Sequence, residues 1–142
     1  MENGNIIFID SNYWIYLFDK TTPEHPFIKD HFMKIYKKTK IATNIVVMLE
    51  VMHYLVKRLG SEIGKEKWDL FTSISMDVGD LLQIELNNVF ETLKKYSFSG
   101  IGSRDAAILS YMKTHGIQNI ATHDKDFKKI DFVTVVDPVE LR

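Results

Sequence analysis

Four consecutive apolar residues, Ile6-Ile7-Phe8-Ile9, run directly into Asp10. A strand with no polar alternation must be covered on both faces, which is the condition of a parallel sheet between helix layers. Further short apolar runs predict strands over 41–43, 74–78, 119–122 and 132–136. Between them, helical patterning is expected over 13–18, 27–38, 44–59, 65–73, 80–95 and 103–115. Pro23 and Pro26 break the chain after the aromatic run Tyr13-Trp14-Ile15-Tyr16-Leu17-Phe18, because each disfavours helix at the preceding residue. Gly60 and Gly116 read as helix stops and Ser103 as a helix cap. Strands alternating with helices in 142 residues predict one α/β domain spanning 1–142.

Composition narrows the functions open to such a domain. The 18 Lys and Arg against 19 Asp and Glu leave a net charge of −1, which excludes a strongly basic nucleic-acid wrapper but not a local basic patch. There is no cysteine, so disulfide scaffolds, thiolate zinc sites and thiol catalysis are excluded together. No apolar run reaches membrane-spanning length, and residues 1–5 lack the basic flank and apolar core of a signal peptide, so a cytoplasmic location with no membrane partner is expected.

The acids carry the chemistry. Asp10 directly follows the first strand, where open parallel sheets gather ligands, although alone it reads equally as a helix cap. Glu50 stands in the apolar 44–59 helix, where only His53 shares its polarity between 45 and 55, so a largely buried carboxylate in need of a partner or metal is expected. Alternatively, Glu50, His53 and Lys57 share one solvated stripe. Asp105 lies in the first turn of its helix, where the dipole favours negative charge. Asp124, with Asp126 two residues on, follows the 119–122 strand as Asp10 follows the first. Four carboxylates within ~5 Å would repel by about 3 kcal/mol per pair at an effective dielectric near 20. Such a cluster needs protons or divalent cations, and oxygen ligands favour Mg²⁺ or Mn²⁺ over Zn²⁺.

The segments Ile7-Phe8-Ile9-Asp10-Ser11-Asn12, Glu50 in its apolar helix, Ser103-Arg104-Asp105-Ala106-Ala107-Ile108, Ile120-Ala121-Thr122-His123-Asp124-Lys125-Asp126-Phe127 and Val135-Val136-Asp137-Pro138 occur in an order and spacing that resembles the PIN-domain nucleases. The resemblance is closest to the compact VapC-type toxins of toxin–antitoxin pairs, and residues 61–96 carry no matching motif. It implies a three-layer domain with a parallel sheet of about five strands. It further implies an acidic quartet at Asp10, Glu50, Asp105 and Asp124. Asp10, Asp105, Asp124 and the auxiliary Asp126 would hold Mg²⁺ or Mn²⁺, and Ser11 and Thr122 would support the acids. The activity implied is metal-dependent endoribonucleolysis, with RNA as substrate, an antitoxin protein as a possible partner and a homodimer as the family's common state.

Basic residues should rim such a site, and Arg104, Lys37, Lys38 and Lys125 are the candidates for RNA, with Lys57 and Arg58 as another pair. Tyr13, Trp14 and Tyr16 could stack bases but fit core or interface better. The alternatives are a housekeeping RNA-processing nuclease, a non-catalytic RNA- or protein-binding scaffold, and a receiver-like signalling module. Against the last, this chain lacks the acidic pair after the first strand that a receiver needs, and Glu50 sits on a helix rather than a strand. A di-iron bundle would need a second Glu-x-x-His pair beside Glu50 and His53, and there is none.

Overall fold

The computed structural model describes residues 5–140, so the expectation about a leader falls largely outside it. The apolar run forms β1 (Ile6–Ile9) at the centre of a five-stranded, all-parallel sheet of order β3-β2-β1-β4-β5. Its partners are β2 (Lys40–Asn44), β3 (Asp77–Gly79), β4 (Asn119–Ala121) and β5 (Thr134–Val136). The register sets Ile9 against Ala121, Asn44 against Gly79 and Ala121 against Val136. The carboxyl ends of the strands are therefore level. Asp10, Asn44 and Thr122 emerge from the sheet together.

Two helices, α1 (Ser11–Phe18) and α2 (His25–Ile35), lead from β1 to β2, and α3 (Ile45–Leu59) and α4 (Ser61–Ser73) lead from β2 to β3. The chain then crosses back over β1 through α5 (Leu86–Lys95) and α6 (Ser103–Thr114) to reach β4. Right-handed crossovers put the first four helices on one face and the last two on the other. The order reverses around β1, which makes its carboxyl end the topological switch point where open α/β sheets bind ligands.

Side chains explain the junctions. The Asn44 side chain accepts a hydrogen bond from the Val47 N–H at 3.2 Å and caps α3. Gly60, at φ 90°, ends that helix in a conformation costly for any other residue. Tyr13 and Trp14 are fully buried, and Trp14 packs against Phe18, Phe32 and Phe71. The aromatic run is core, and truncating Trp14 to Ala would remove about 3–5 kcal/mol.

Several boundaries differ from expectation. The helix expected over 27–38 is His25–Ile35: Pro26 is accepted in its first turn, where no intrahelical N–H is needed, and Lys37 at φ 69° ends the run. The helix expected from 80 begins at Leu86, after a 3₁₀ turn at Gln83–Glu85 whose Leu82 N–H is held by Glu85. The strand expected over 74–78 is Asp77–Gly79 and the last is Thr134–Val136. Gly102, not Ser103, caps α6, and Ser103 is the first helical residue. The α3 helix is not buried all round. Val47, Val51 and Leu55 face the core, whereas Leu49, Met52 and Val56 are exposed, the last two beside α4. Among the described residues no helix is long and apolar enough to cross a membrane.

At the α3–α4 crossing, Gly64 lies so close to α3 that an added Cβ would stand 2.7 Å from the Leu55 carbonyl oxygen. Helix propensity alone would favour Gly64→Ala by about 1 kcal/mol. The crossing should win, with a net loss of about 1–3 kcal/mol in urea unfolding. A stabilised variant would contradict this packing.

Candidate active site

Asp10 is fully buried at the end of β1, and its two oxygens accept from three parts of the fold: the start of α1, the end of β4 and the start of α6. Its Oδ1 accepts from the Ser11 N–H at 2.7 Å and from Arg104 Nη1 at 3.2 Å. Its Oδ2 accepts from the Thr122 hydroxyl at 2.9 Å and more weakly from Asn12 Nδ2 at 3.4 Å. Thr122 Oγ1 in turn accepts from Asn12 Nδ2 and from the Asp124 N–H, both at 3.0 Å. One hydroxyl thus donates once and accepts twice, its full capacity. This links the turn after β1 to the turn after β4. The Asn12 side-chain oxygen closes the network by accepting from the His123 N–H at 3.1 Å.

Arg104 is the other centre. From the first turn of α6 its guanidinium reaches Asp10 at 3.2 Å, Glu50 at 2.9 Å and Asp105 at 2.6 Å. Strands β1 and helices α3 and α6 are therefore tied through one cation. The Glu50 and Asp105 contacts are close, but no N–H is aimed along either, so Glu50 Oε1 and Asp105 Oδ1 are buried oxygens without a hydrogen bond among the described residues. Three carboxylates round one guanidinium leave an excess of negative charge before Asp124 is counted.

Burial, only partly offset by Arg104, raises the pKa of Asp105, and the charges of Asp10 and Asp124 push it further the same way. For Arg104, burial acts downward, but Asp10, Asp105 and Glu50 outweigh it and its pKa is raised. A +1 ion at the centre satisfies less of the charge than a +2 ion would. An all-oxygen donor set, two of whose buried oxygens have an ion-pair contact but no hydrogen bond among the described residues, fits Mg²⁺ or Mn²⁺. As placed, no group of three acidic or histidine side chains among the described residues is close enough to hold a metal together, because Arg104 stands between them. Loading would require that guanidinium to withdraw.

The other expected residues are spread more widely. Asp124 stands at the carboxyl end of β4 and caps the 3₁₀ turn Lys125–Lys129, accepting from the Asp126 N–H at 2.9 Å. The Asp126 carboxyl lies beside Gly100, with Lys129 3.8 Å away, rather than on Asp10. Ser11 supports Asp10 through its backbone N–H. Lys125 is exposed next to Asp124. Lys37 and Lys38 precede β2 and stand at the amino edge of the sheet, with the four residues of β1, roughly 13 Å, between them and the acids. Of the two expectations for Glu50, the shared stripe with His53 and Lys57 fits better than deep burial: its side chain is 39% exposed. Asn12, Asn44 and the bridging position of Arg104 went unassigned from sequence. The small polar residues directly after strands were the available signal for the first two.

Residues 7–133 match the PIN domain family, and the chain belongs to it. No curated protein matches. Among solved structures, the chain is similar to VapC20 of Mycobacterium tuberculosis, described as a sarcin-ricin loop cleaving toxin, at 23% identity and a TM-score of 0.77, covering 89% of this chain and 96% of that one. VapBC2 from Rickettsia felis, bound to a DNA fragment from its promoter, aligns at 20% identity and a TM-score of 0.73 over 93% and 98% of the two chains. DNA-bound VapBC from Salmonella typhimurium aligns at 16% identity and 0.72, over 92% and 96%. At these identities the likeness establishes a shared fold.

Removing the central cation should expose the imbalance. Arg104→Gln is expected to cost on the order of 1–2 kcal/mol in EDTA, well below a fully buried pair because the side chain is 30% exposed, and to enlarge the Tm gain on adding Mn²⁺. Scanning fluorimetry in both buffers measures this, and equal metal responses would contradict it. For Asp105 the folded pKa lies above the unfolded one, so the folded state retains a proton that the unfolded state releases, and stability falls as pH rises through that window. Asp105→Asn is therefore expected to raise the Tm in EDTA, by a margin that grows with pH through the upper carboxylate range. A margin that shrinks would contradict the sign.

Proposed function

We propose that this PIN-domain protein is a metal-dependent endoribonuclease of the VapC toxin type. The observation that carries the reading is the convergence of Asp10, Glu50 and Asp105 on the Arg104 guanidinium, with the Asp124 backbone N–H tied to Asp10 through Thr122. Asp10, Asp105 and Asp124 would hold Mg²⁺ or Mn²⁺. Asp126, beside Gly100, would be an auxiliary ligand. When bound, the metal supplies a water of lowered pKa and neutralises charge on phosphate oxygens.

The chain's own groups do the rest. Thr122, Asn12 and the Ser11 N–H fix the Asp10 carboxylate, so its orientation needs no reorganisation on substrate entry. Glu50, the acid with access to bulk water, is suited to accept a proton from the attacking water. Arg104, once released from the acids, offers a planar fork to a non-bridging phosphate oxygen.

The VapBC likenesses support an antitoxin chain as partner and the toxin role over housekeeping RNA processing. The family habit supports a homodimer. The exposed Leu82, Ile84, Leu86 and Phe90 around α5 give apolar surface that such contacts would cover.

Incubating the protein with a mixed RNA pool should give Mn²⁺- or Mg²⁺-dependent cleavage that EDTA stops. Asp10→Asn should lower the rate by more than about 100-fold, since losses of outer-shell groups alone cost 10–100-fold. Its circular dichroism should be unchanged. Parental activity in Asp10→Asn, or cleavage indifferent to EDTA, would sink the proposal.

A further inference from the structure

An acidic centre repels the polyanion it is meant to cut, so the strand needs a hold beside it. Between α1 and α3 runs a groove of about 490 Å³ that opens at Ser11 and Glu50. Ile15 and Leu49 supply its apolar lining, and Leu49 is 57% exposed. His53 and Lys57 line the same groove, three and seven residues beyond Glu50 and so on one face of α3, with Arg58 beside them. From Glu50 to Lys57 the helix rises about 10 Å. A phosphate at Lys57 and another at the acids would therefore belong to nearby nucleotides of one strand.

Among the described residues, some surface cations pair with a carboxylate and a larger number, Lys57 and Arg58 among them, do not. Lys40, Lys65, Lys94 and Lys129 each pair with a carboxylate, at 2.7–3.8 Å. Among the described residues neither Lys57 nor Arg58 has a carboxylate within 4 Å. Arg58 lies over the Tyr54 ring, 5.7 Å from its centroid, and the Tyr54 hydroxyl donates to Asp19 at 2.6 Å. That wall of the groove is held in place by α1, not free to collapse onto the acids.

We infer that the α1–α3 groove is a subsite for single-stranded RNA flanking the cleaved phosphate, with Lys57 and Arg58 contacting the backbone and Ile15 and Leu49 receiving a base. The inference rests on the nuclease reading above and adds the path of the substrate to it. Unpaired cations beside an exposed apolar surface match an unstacked strand, whose bases and phosphates are both available. A duplex hides its bases and offers only the phosphates. The groove's continuity with Glu50 places that strand at the acids.

Binding of a fluorescent single-stranded RNA oligonucleotide is measured by anisotropy in EDTA across a salt series, and cleavage kinetics are measured with Mn²⁺. Each lost phosphate contact lowers the salt slope by about 0.7, so the Lys57→Ala, Arg58→Ala double variant is expected to lose about 1.4 from the magnitude of its slope. Its KM should rise several-fold with kcat near the parental value. The Lys37→Ala, Lys38→Ala double variant removes the same charge from the opposite edge of the sheet and is expected to leave slope and KM unchanged. A slope and KM unaltered in the first variant, while the parent cleaves, overturn the subsite alone and leave the groove to a protein segment. Equal losses in both double variants reduce the effect to net charge and also overturn it. A duplex that competes as well as the single strand overturns the single-strand assignment. A parent that neither binds nor cleaves RNA overturns the nuclease reading as well.

Discussion

A carboxylate with no solvent exposure, at the end of a strand covered on both faces, is the constraint around which this molecule is organised. Asp10 cannot be left unpaired there, because an unpartnered charge in such surroundings costs several kcal/mol. Its partners come from the start of α1, the end of β4 and the start of α6. Arg104 and Thr122 are distant from Asp10 in sequence, and Thr122 reaches it because β4 lies beside β1 with the carboxyl ends level. Satisfying this buried acid thus depends in part on that pairing.

Arg104 extends that logic from structure to chemistry. It brings Glu50 and Asp105 to the same point as Asp10, so that one positive charge faces three carboxylates. The centre is stable enough to fold and still short of positive charge. A divalent cation and a phosphate-reading arginine are complementary answers to that shortfall: the metal would take the acids, and the released guanidinium would take the substrate. The unpaired Lys57 and Arg58, one groove away, supply the attraction that the acids cannot.

Much of this was legible in the chain. The unbroken Ile6–Ile9 run, the strand-end position of Asp10 and Asp124, and the dipole-favoured position of Asp105 depend on local pattern, and the parallel sheet with its acids at one edge follows from them. What failed depends on tertiary cover. The apolar sequence of α3 does not say that only Val47, Val51 and Leu55 find a core to face, so of the two expectations for Glu50 the solvated stripe fits better than deep burial. Lys37 and Lys38 looked like a basic rim by density, but strand direction sends them to the far edge. The region around 74–86 has weak periodicity. There a three-residue strand and a 3₁₀ turn replaced the longer elements expected, because β3 needs only enough length to pair with Ala42, Thr43 and Asn44.

The central claim is that these acids form one cation site. A titration of the protein with Mn²⁺, followed by the loss of the free-ion electron paramagnetic resonance signal, tests it most directly. Saturable binding in the parent should be weakened by Asp10→Asn and by Asp124→Asn alike, although the two residues are 114 positions apart in the chain. Binding that survives either substitution unchanged would mean that the carboxylates act separately, and the account would fail.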